Sequence, residues 1–164
     1  MQKQIEFITY GAEVKRFHTL TTLQLDTVGH HSHGVAMLCL LIAPRASNAL
    51  LQAALLHDLA EQHTGDIPSP SKHLYGIGAQ VDALELRLIE DAGFTFPELS
   101  PREERILKLA DIAQGAMFCL REIQLGNQRA GDVFDRYLSY TADMFLVGRE
   151  AELFETLREM RTGV

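Results

Sequence analysis

Apolar residues recur at intervals of three and four through most of this chain, and nowhere do they alternate with polar ones between hairpin turns. A chain patterned this way buries its apolar stripes by packing helix on helix, so the expected fold class is all-α, a single helical bundle. The periodicity places helices at about 3–14, 30–43, 47–63, 76–92, 101–125, 128–147 and 149–161. Ser100, Pro101 and Glu103 give the sharpest start signal: Ser caps, Pro suits the first helical position, and Glu reaches back from the third. Gly65 to Lys72, with two prolines directly after a long helix, is expected to stop that helix and form a stiff loop. Arg16 to Gly29 is weakly periodic and rich in threonine, and is expected to be irregular. At roughly 150 residues per domain, the 164 residues make one unit spanning 1–164.

Charge and apolar content exclude several classes. A net charge of −7 and a pI near 5.4 argue against a surface for long nucleic acids, which are held by arrays of Lys and Arg. A few placed cations still suffice for a small phosphate-bearing ligand. The longest apolar run, Val35 to Pro44, is too short to span a bilayer, which takes about 20 residues. Met1 to Tyr10 lacks the apolar stretch of a signal peptide. Cys39 and Cys119 lie in apolar helical segments without CxxC spacing, so they are expected as buried free thiols in a reducing, cytoplasmic setting.

Against this ordinary background, three polar placements stand out. Ala53-Ala-Leu-Leu56 runs directly into His57 and Asp58, putting an imidazole and a carboxylate at the end of an apolar segment. A buried carboxylate must find a partner, take a proton or bind a metal. Asp111 shares a helical stripe with Leu107, Gln114 and Phe118, so a second acid faces the interior. His30, His31 and His33 open a helix that runs apolar on all sides and should be central; periodicity alone does not choose among them. A helix cap by the histidines or a pairing of Asp111 with Lys108 would account for each placement singly. Two His-bearing and one Asp-bearing apolar helix together point to a metal centre, whose imidazole and carboxylate donors suit Zn, Mn, Co or Fe.

The pattern His31, His57-Asp58, Asp111 on a helical chain resembles the HD-domain phosphohydrolase superfamily, and most of all its small nucleotidase branch. Three segments carry the likeness: His31-Ser-His-Gly-Val-Ala, Leu55-Leu-His-Asp-Leu-Ala-Glu-Gln-His-Thr-Gly-Asp-Ile-Pro-Ser-Pro-Ser-Lys72, and Leu107-Lys-Leu-Ala-Asp111. The likeness runs from about Arg16 to Glu122, and the last two helices carry no matching motif. It is similar to the bacterial 5'-deoxynucleotidases and, in length, more so to phage dATP triphosphohydrolases that deplete dATP. The resemblance selects His31 as the first ligand, because the family's ligand precedes a Ser-x-x-Val-Ala run.

By the same resemblance, His31, His57, Asp58 and Asp111 hold a divalent cation (Zn, Co or Mn), with a second Mg or Co as an option. Glu61 and Asp66 act beside it as catalytic acids, one moving a proton and one placing water or the second cation. Glu61 stands one turn after His57; its ordinary alternative is an exposed acid near a helix C-terminus, where the macrodipole disfavours it. Arg16 and Lys72 contact phosphate, and Phe17 packs beside the nucleoside where many relatives have Trp. Thr19 takes the place of an apolar side chain that screens against a ribose 2'-hydroxyl, and His18, Thr19 and Gln114 are the loosely named base contacts. The implied activity is dATP triphosphohydrolase, with 5'-deoxynucleotidase and a non-catalytic nucleotide sensor as alternatives. The implied partner is a small deoxynucleotide, with neither nucleic acid nor membrane, in a homo-oligomer, hexamer or dimer.

Overall fold

The structure, a computed structural model, describes residues 1–163, the side chain of His73 excepted. Helices follow in the order α1 (Gln2–Ala12), α2 (Val28–Ile42), α3 (Asn48–Leu56), α4 (Glu61–Thr64), α5 (Ser69–Leu74), α6 (Gly78–Asp91), α7 (Pro101–Gln124), α8 (Ala130–Ser139) and α9 (Arg149–Thr162). Among the described residues no strand forms, and a lone antiparallel bridge joins Lys15 and Thr27. The all-α expectation therefore holds.

The long helix α7 organises the rest. Its capping box forms as expected: Ser100 Oγ accepts from Glu103 N–H, and Glu103 Oε2 accepts from Ser100 N–H at 2.9 Å. Its stripe of Ile106, Leu109, Ala113, Ala116, Leu120 and Ile123 packs on α2, α3, α8 and α9 to make the main apolar cluster. Arg105 fastens α9 by donating from Nη2 to the Phe145 carbonyl and to Glu150, both at 2.8 Å. A smaller cluster on the other flank joins Phe7, Val28, Leu59, Ala60, Ile89 and Ala92. His31, His57, Asp58 and Asp111 come from the elements lying between these two clusters.

Four expectations are corrected. The helix expected over 47–63 is two: α3 ends at Leu56, and residues 57–60 turn before α4. Through this turn the chain makes tighter i to i−3 bonds, Leu59 N–H to Leu56 O at 3.1 Å and Glu61 N–H to Asp58 O at 3.0 Å, which swing Asp58 and Glu61 off the α3 axis. The loop expected over Gly65 to Lys72 contains the start of α5, because the Pro68 carbonyl accepts from Ser71 and Lys72, and Pro70 sits in a first turn that needs no N–H. The helix expected over 128–147 stops at Ser139, where bonds from Thr141 to Leu138 and Ala142 to Ser139 replace the helical ladder. Nor is α2 buried all round: Met37, Leu40 and Leu41 are exposed.

Candidate metal centre

His31 is fully buried on the inner face of α2, and its Nδ1 lies 2.5 Å from Gln114 Oε1 on α7. His57 closes α3, and its Nδ1 lies 2.9 Å from the Ala54 carbonyl. Each outer nitrogen meets an oxygen acceptor and so carries the proton, leaving the Nε2 lone pairs to face inward. Those two Nε2 atoms are 3.3 Å apart. Around them, Asp58 Oδ2 stands 3.3 Å from His31 Nε2 and 3.5 Å from His57 Nε2, and Asp111 Oδ1 stands 3.3 Å from His31 Nε2. One ligand atom each from His31, His57 and Asp58 falls within 4.8 Å of the others, a grouping that fits a metal ion; Asp111 lies outside that grouping, with Oδ1 at 3.3 Å from His31 Nε2 and Oδ2 accepting from Lys108 Nζ at 3.4 Å.

Lone pairs and negative charge aimed at one point demand a positive charge there. The His31 pKa expresses that demand: burial and Arg16 press it down, yet the hydrogen bonds to Asp111 and Asp58 outweigh them and raise it to about 9. Asp58 is held well below the carboxylate range, since His57, His31 and Arg16 together overcome its burial. The donor set, two imidazoles with their outer nitrogens tied to oxygen acceptors and the Asp58 carboxylate, with Asp111 beside His31, fits a divalent cation. Gln114, which the sequence offers as a base contact, holds His31 instead.

Arg16 and Phe17 reach this centre from the irregular segment before α2. The segment is pinned at its base by Arg16 N–H to Asp26 O at 3.1 Å and Val28 N–H to Val14 O at 2.9 Å. At its far end the buried Glu122 carboxylate accepts from Leu23 N–H at 2.7 Å, Gln24 N–H at 2.8 Å and Asn127 Nδ2 at 2.7 Å. Arg16 Nη1 donates to Asp58 Oδ2 at 2.7 Å, and its Nε faces Asp26 at 3.4 Å. Phe17 takes a left-handed backbone, φ 55°, unusual for a bulky residue, and its N–H donates to Asp66 Oδ2 at 3.0 Å. Its ring stacks on Phe118 with centroids 4.6 Å apart. Thr19 and His18 are exposed, and Thr19 lines the cleft beside Leu20.

The ordinary alternative for Glu61, an exposed acid near a helix C-terminus, does not hold. Glu61 opens α4 rather than standing near the C-terminus of a long helix, and it is 3% exposed. Burial first, then the Asp58 and Asp66 carboxylates, push its pKa up to about 10 against the pull of Arg16 and Lys72, so it holds a proton at neutral pH. Its Oε2 has no hydrogen-bond partner. Lys72 pairs at 3.6 Å with Glu85 of α6.

These side chains line a cleft of two joined lobes. The acidic lobe, about 250 Å³, takes in Asp58, Glu61, Asp66, Lys72 and Asp111. The other, about 300 Å³, is walled by Phe17, Thr19, Pro68, Val133 and Arg136. Arg16, Asp66, Ser69, Tyr137 and Tyr140 border both. The residues from α8 and Glu122 escaped the sequence reading. Glu122 had a signal, an acid within the Cys119 and Ile123 stripe of α7, whereas nothing in α8 marks Tyr137 as facing a cleft.

Residues 28–115 match the HD domain family. The 5'-deoxynucleotidases YfbR of Salmonella paratyphi B and Salmonella newport are each 27% identical to this chain, covering 79% of it and 78% of their own length. Among solved structures, the PH0347 protein of Pyrococcus horikoshii superposes with a TM-score of 0.79 at 19% identity, covering 98% of this chain and 99% of that one. The cyanophage S-2L HD phosphohydrolase DatZ, bound to dA and one catalytic Zn²⁺ ion, gives 0.65 at 19% identity, covering 97% and 96%. The HD-domain phosphohydrolase lin2634 of Listeria innocua gives 0.71 at 18%, covering 98% and 89%. With the His31, His57-Asp58 and Asp111 residues folded onto this helical frame, the chain belongs to the HD domain family, as a metal-dependent phosphohydrolase.

Proposed function

We propose that this chain hydrolyses the phosphate ester at the 5'-oxygen of a deoxynucleotide, with dATP as substrate and deoxyadenosine and triphosphate as products. The observation that carries the reading is the grouping of His31, His57 and Asp58 ligand atoms within 4.8 Å of one another, with Asp111 against His31 and a protonated Glu61 in the lobe that Asp58 and Asp111 line. His31, His57, Asp58 and Asp111 would hold Zn, Co or Mn, and the acids of the adjoining lobe would serve a second Mg or Co. A bound cation polarises a phosphate oxygen and makes nearby water more acidic.

Glu61 gives its proton to the departing 5'-oxygen as the bond from phosphorus to that oxygen breaks and a water oxygen bonds to phosphorus, the surplus proton of that water returning to the Glu61 carboxylate and restoring the acid. Asp66 fixes Phe17 with one oxygen and orients water with the other. Arg16 and Lys72 offset charge on the phosphate oxygens. Phe17 and Thr19 line the lobe that would take the nucleoside.

Residues 1–164 act as one unit in this reading, and the two buried thiols suit a reducing cytoplasm, the host's if the chain is a phage protein. Among the described residues no helix is long and apolar enough to cross a membrane. A homo-oligomer, dimer or hexamer, completes the reading. An apolar groove of about 400 Å³ runs over Leu41, Met117, Leu153 and Met160 and has no acidic lining residue. Two copies of a chain carrying −7 would meet there with little like-charge repulsion.

End-product analysis tests the chemistry: purified protein with each dNTP and dNMP, and Mn, Co, Zn or Mg added separately. Triphosphate released from dATP, with Asp58→Ala at least about a thousandfold slower, is the expected result. Turnover of monophosphates alone would select the second reading, a 5'-deoxynucleotidase, favoured by the 27% identity to the YfbR proteins. Tight dATP binding with no product under any metal would overturn both and leave a nucleotide sensor.

A further inference from the structure

We propose that Tyr137 determines which sugar the cleft accepts, its ring forming the wall against which the pentose lies and offering carbon where a ribose 2'-hydroxyl would need a partner. The proposal rests on the deoxynucleotide reading above and names a residue outside every motif that led to it. A pentose joins the base to the 5'-phosphate, so it must sit where the two lobes meet. Five residues border both lobes: Arg16, Asp66, Ser69, Tyr137 and Tyr140. Arg16 is engaged by Asp58 and Asp66 by the Phe17 N–H, and Ser69 has no ring, so an aromatic wall comes from Tyr137 or Tyr140, of which Tyr137 packs against Gly115 of α7, four residues from Asp111. Phe17 lines only the nucleoside lobe, with one face stacked on Phe118 and the Arg16 guanidinium 5.7 Å from its centroid.

Tyr137 is held in place by a glycine. Gly115 follows Asp111 by four residues on α7, and a methyl group built there would lie 2.5 Å from Cε1 and 2.8 Å from Oη of Tyr137. Those separations are far inside van der Waals contact, so the ring's hydroxyl end occupies a notch that exists only because residue 115 lacks a side chain. The ring is thereby placed one helical turn from a candidate ligand. Its position is fixed further by edge-on contacts to Phe17 at 6.2 Å and Tyr140 at 6.3 Å. With its hydroxyl end against Gly115, the ring borders both lobes, its carbon set against the pentose in this proposal. An added hydroxyl pressed against carbon loses its water without gaining a partner, and such a site rejects it by up to about a hundredfold.

Calorimetric binding of deoxyadenosine and adenosine, alongside kcat/KM for dATP and ATP, tests this with four proteins. The expected result is deoxy preference in the wild type, kept within about threefold by Tyr137→Phe, which retains the wall. Tyr137→His, which adds ring nitrogens able to meet the 2'-hydroxyl, is expected to cut the preference about tenfold, chiefly through tighter ribo binding and lower KM for ATP. Gly115→Ala should drive the ring into the cleft and weaken both nucleosides. An unchanged deoxy-to-ribo ratio in soluble, helical Tyr137→His, or a wild type that binds both sugars equally, overturns the proposal. A wild type that prefers deoxyadenosine in binding yet hydrolyses no nucleotide leaves the Tyr137 assignment standing and removes the hydrolase reading; one that binds neither nucleoside removes both.

Discussion

Glu61 is the residue on which stability and chemistry pull in opposite directions. Its folded pKa of about 10 stands above the ordinary 4.5, so between those values the folded chain keeps a proton that the unfolded chain releases. The native state therefore loses stability as pH rises through that window. Glu61→Gln keeps the shape and removes the titration. In chelator at pH 8 its melting temperature is expected to rise by about 3 °C, with a flatter dependence on pH, while turnover of the preferred substrate falls by roughly 10²–10⁴. A parallel loss of stability and activity would contradict the assignment. Its identity as a site acid is legible in the motif, but its setting is not. The turn at 57–60 forms because Leu59 and Ala60 pack against Phe7 and Ile89, contacts too distant in sequence for local periodicity to announce.

At the scale of the element, the contact between α2 and α7 sets the centre. A methyl group on Gly34 would lie 2.8 Å from Gln114 Cγ, and the Gln114 amide is what orients His31. Gly34→Ala, although a better helix former, is expected to weaken metal affinity 10- to 100-fold in chelator competition; unchanged affinity would show that Gln114 is not needed. The start of α7 predicts a different measurement. Glu103 is held down to about 2 by bonds from Ser47 and Ser100, so the stability its ionised form contributes is complete above 4.5 and disappears as pH falls through about 2. Thermal melts across that interval should lose less in Glu103→Gln than in the parent. This capping box was fully readable from Ser100, Pro101 and Glu103, because its chemistry is local. The segment from Arg16 to Gly29 read only as irregular, since Glu122, 98 residues beyond Gln24, supplies the acceptor that shapes it. Glu122→Ala leaves the Leu23 and Gln24 N–H groups without their acceptor and is expected to cost about 1 kcal/mol in urea unfolding, with faster amide exchange at Leu23 and Gln24.

For the whole molecule, assembly and ion binding are the two open properties. Leu41→Glu places a charge in the acid-free groove and is expected to reduce the mass seen by light scattering toward the 18.3 kDa of one chain, with the helical spectrum intact. Unchanged mass would place any interface elsewhere. All-α class was legible because it depends on periodicity, and His57 and Asp58 because they end an apolar segment, whereas His31 was selected from its neighbours only by the family resemblance. The cleft wall from α8 was not, because it depends on how two helices meet at a glycine. The position of the centre between the two apolar clusters carries a mechanical consequence. The candidate ligand atoms from α2 and α7, which belong to the larger cluster, and from the turn after α3, which is anchored in the smaller, would share one ion only while both flanks stay closed. A bound cation is then a rivet: its removal frees residues 57–66 to part from α7, making them the first segment open to a protease, and reloading the metal restores their protection.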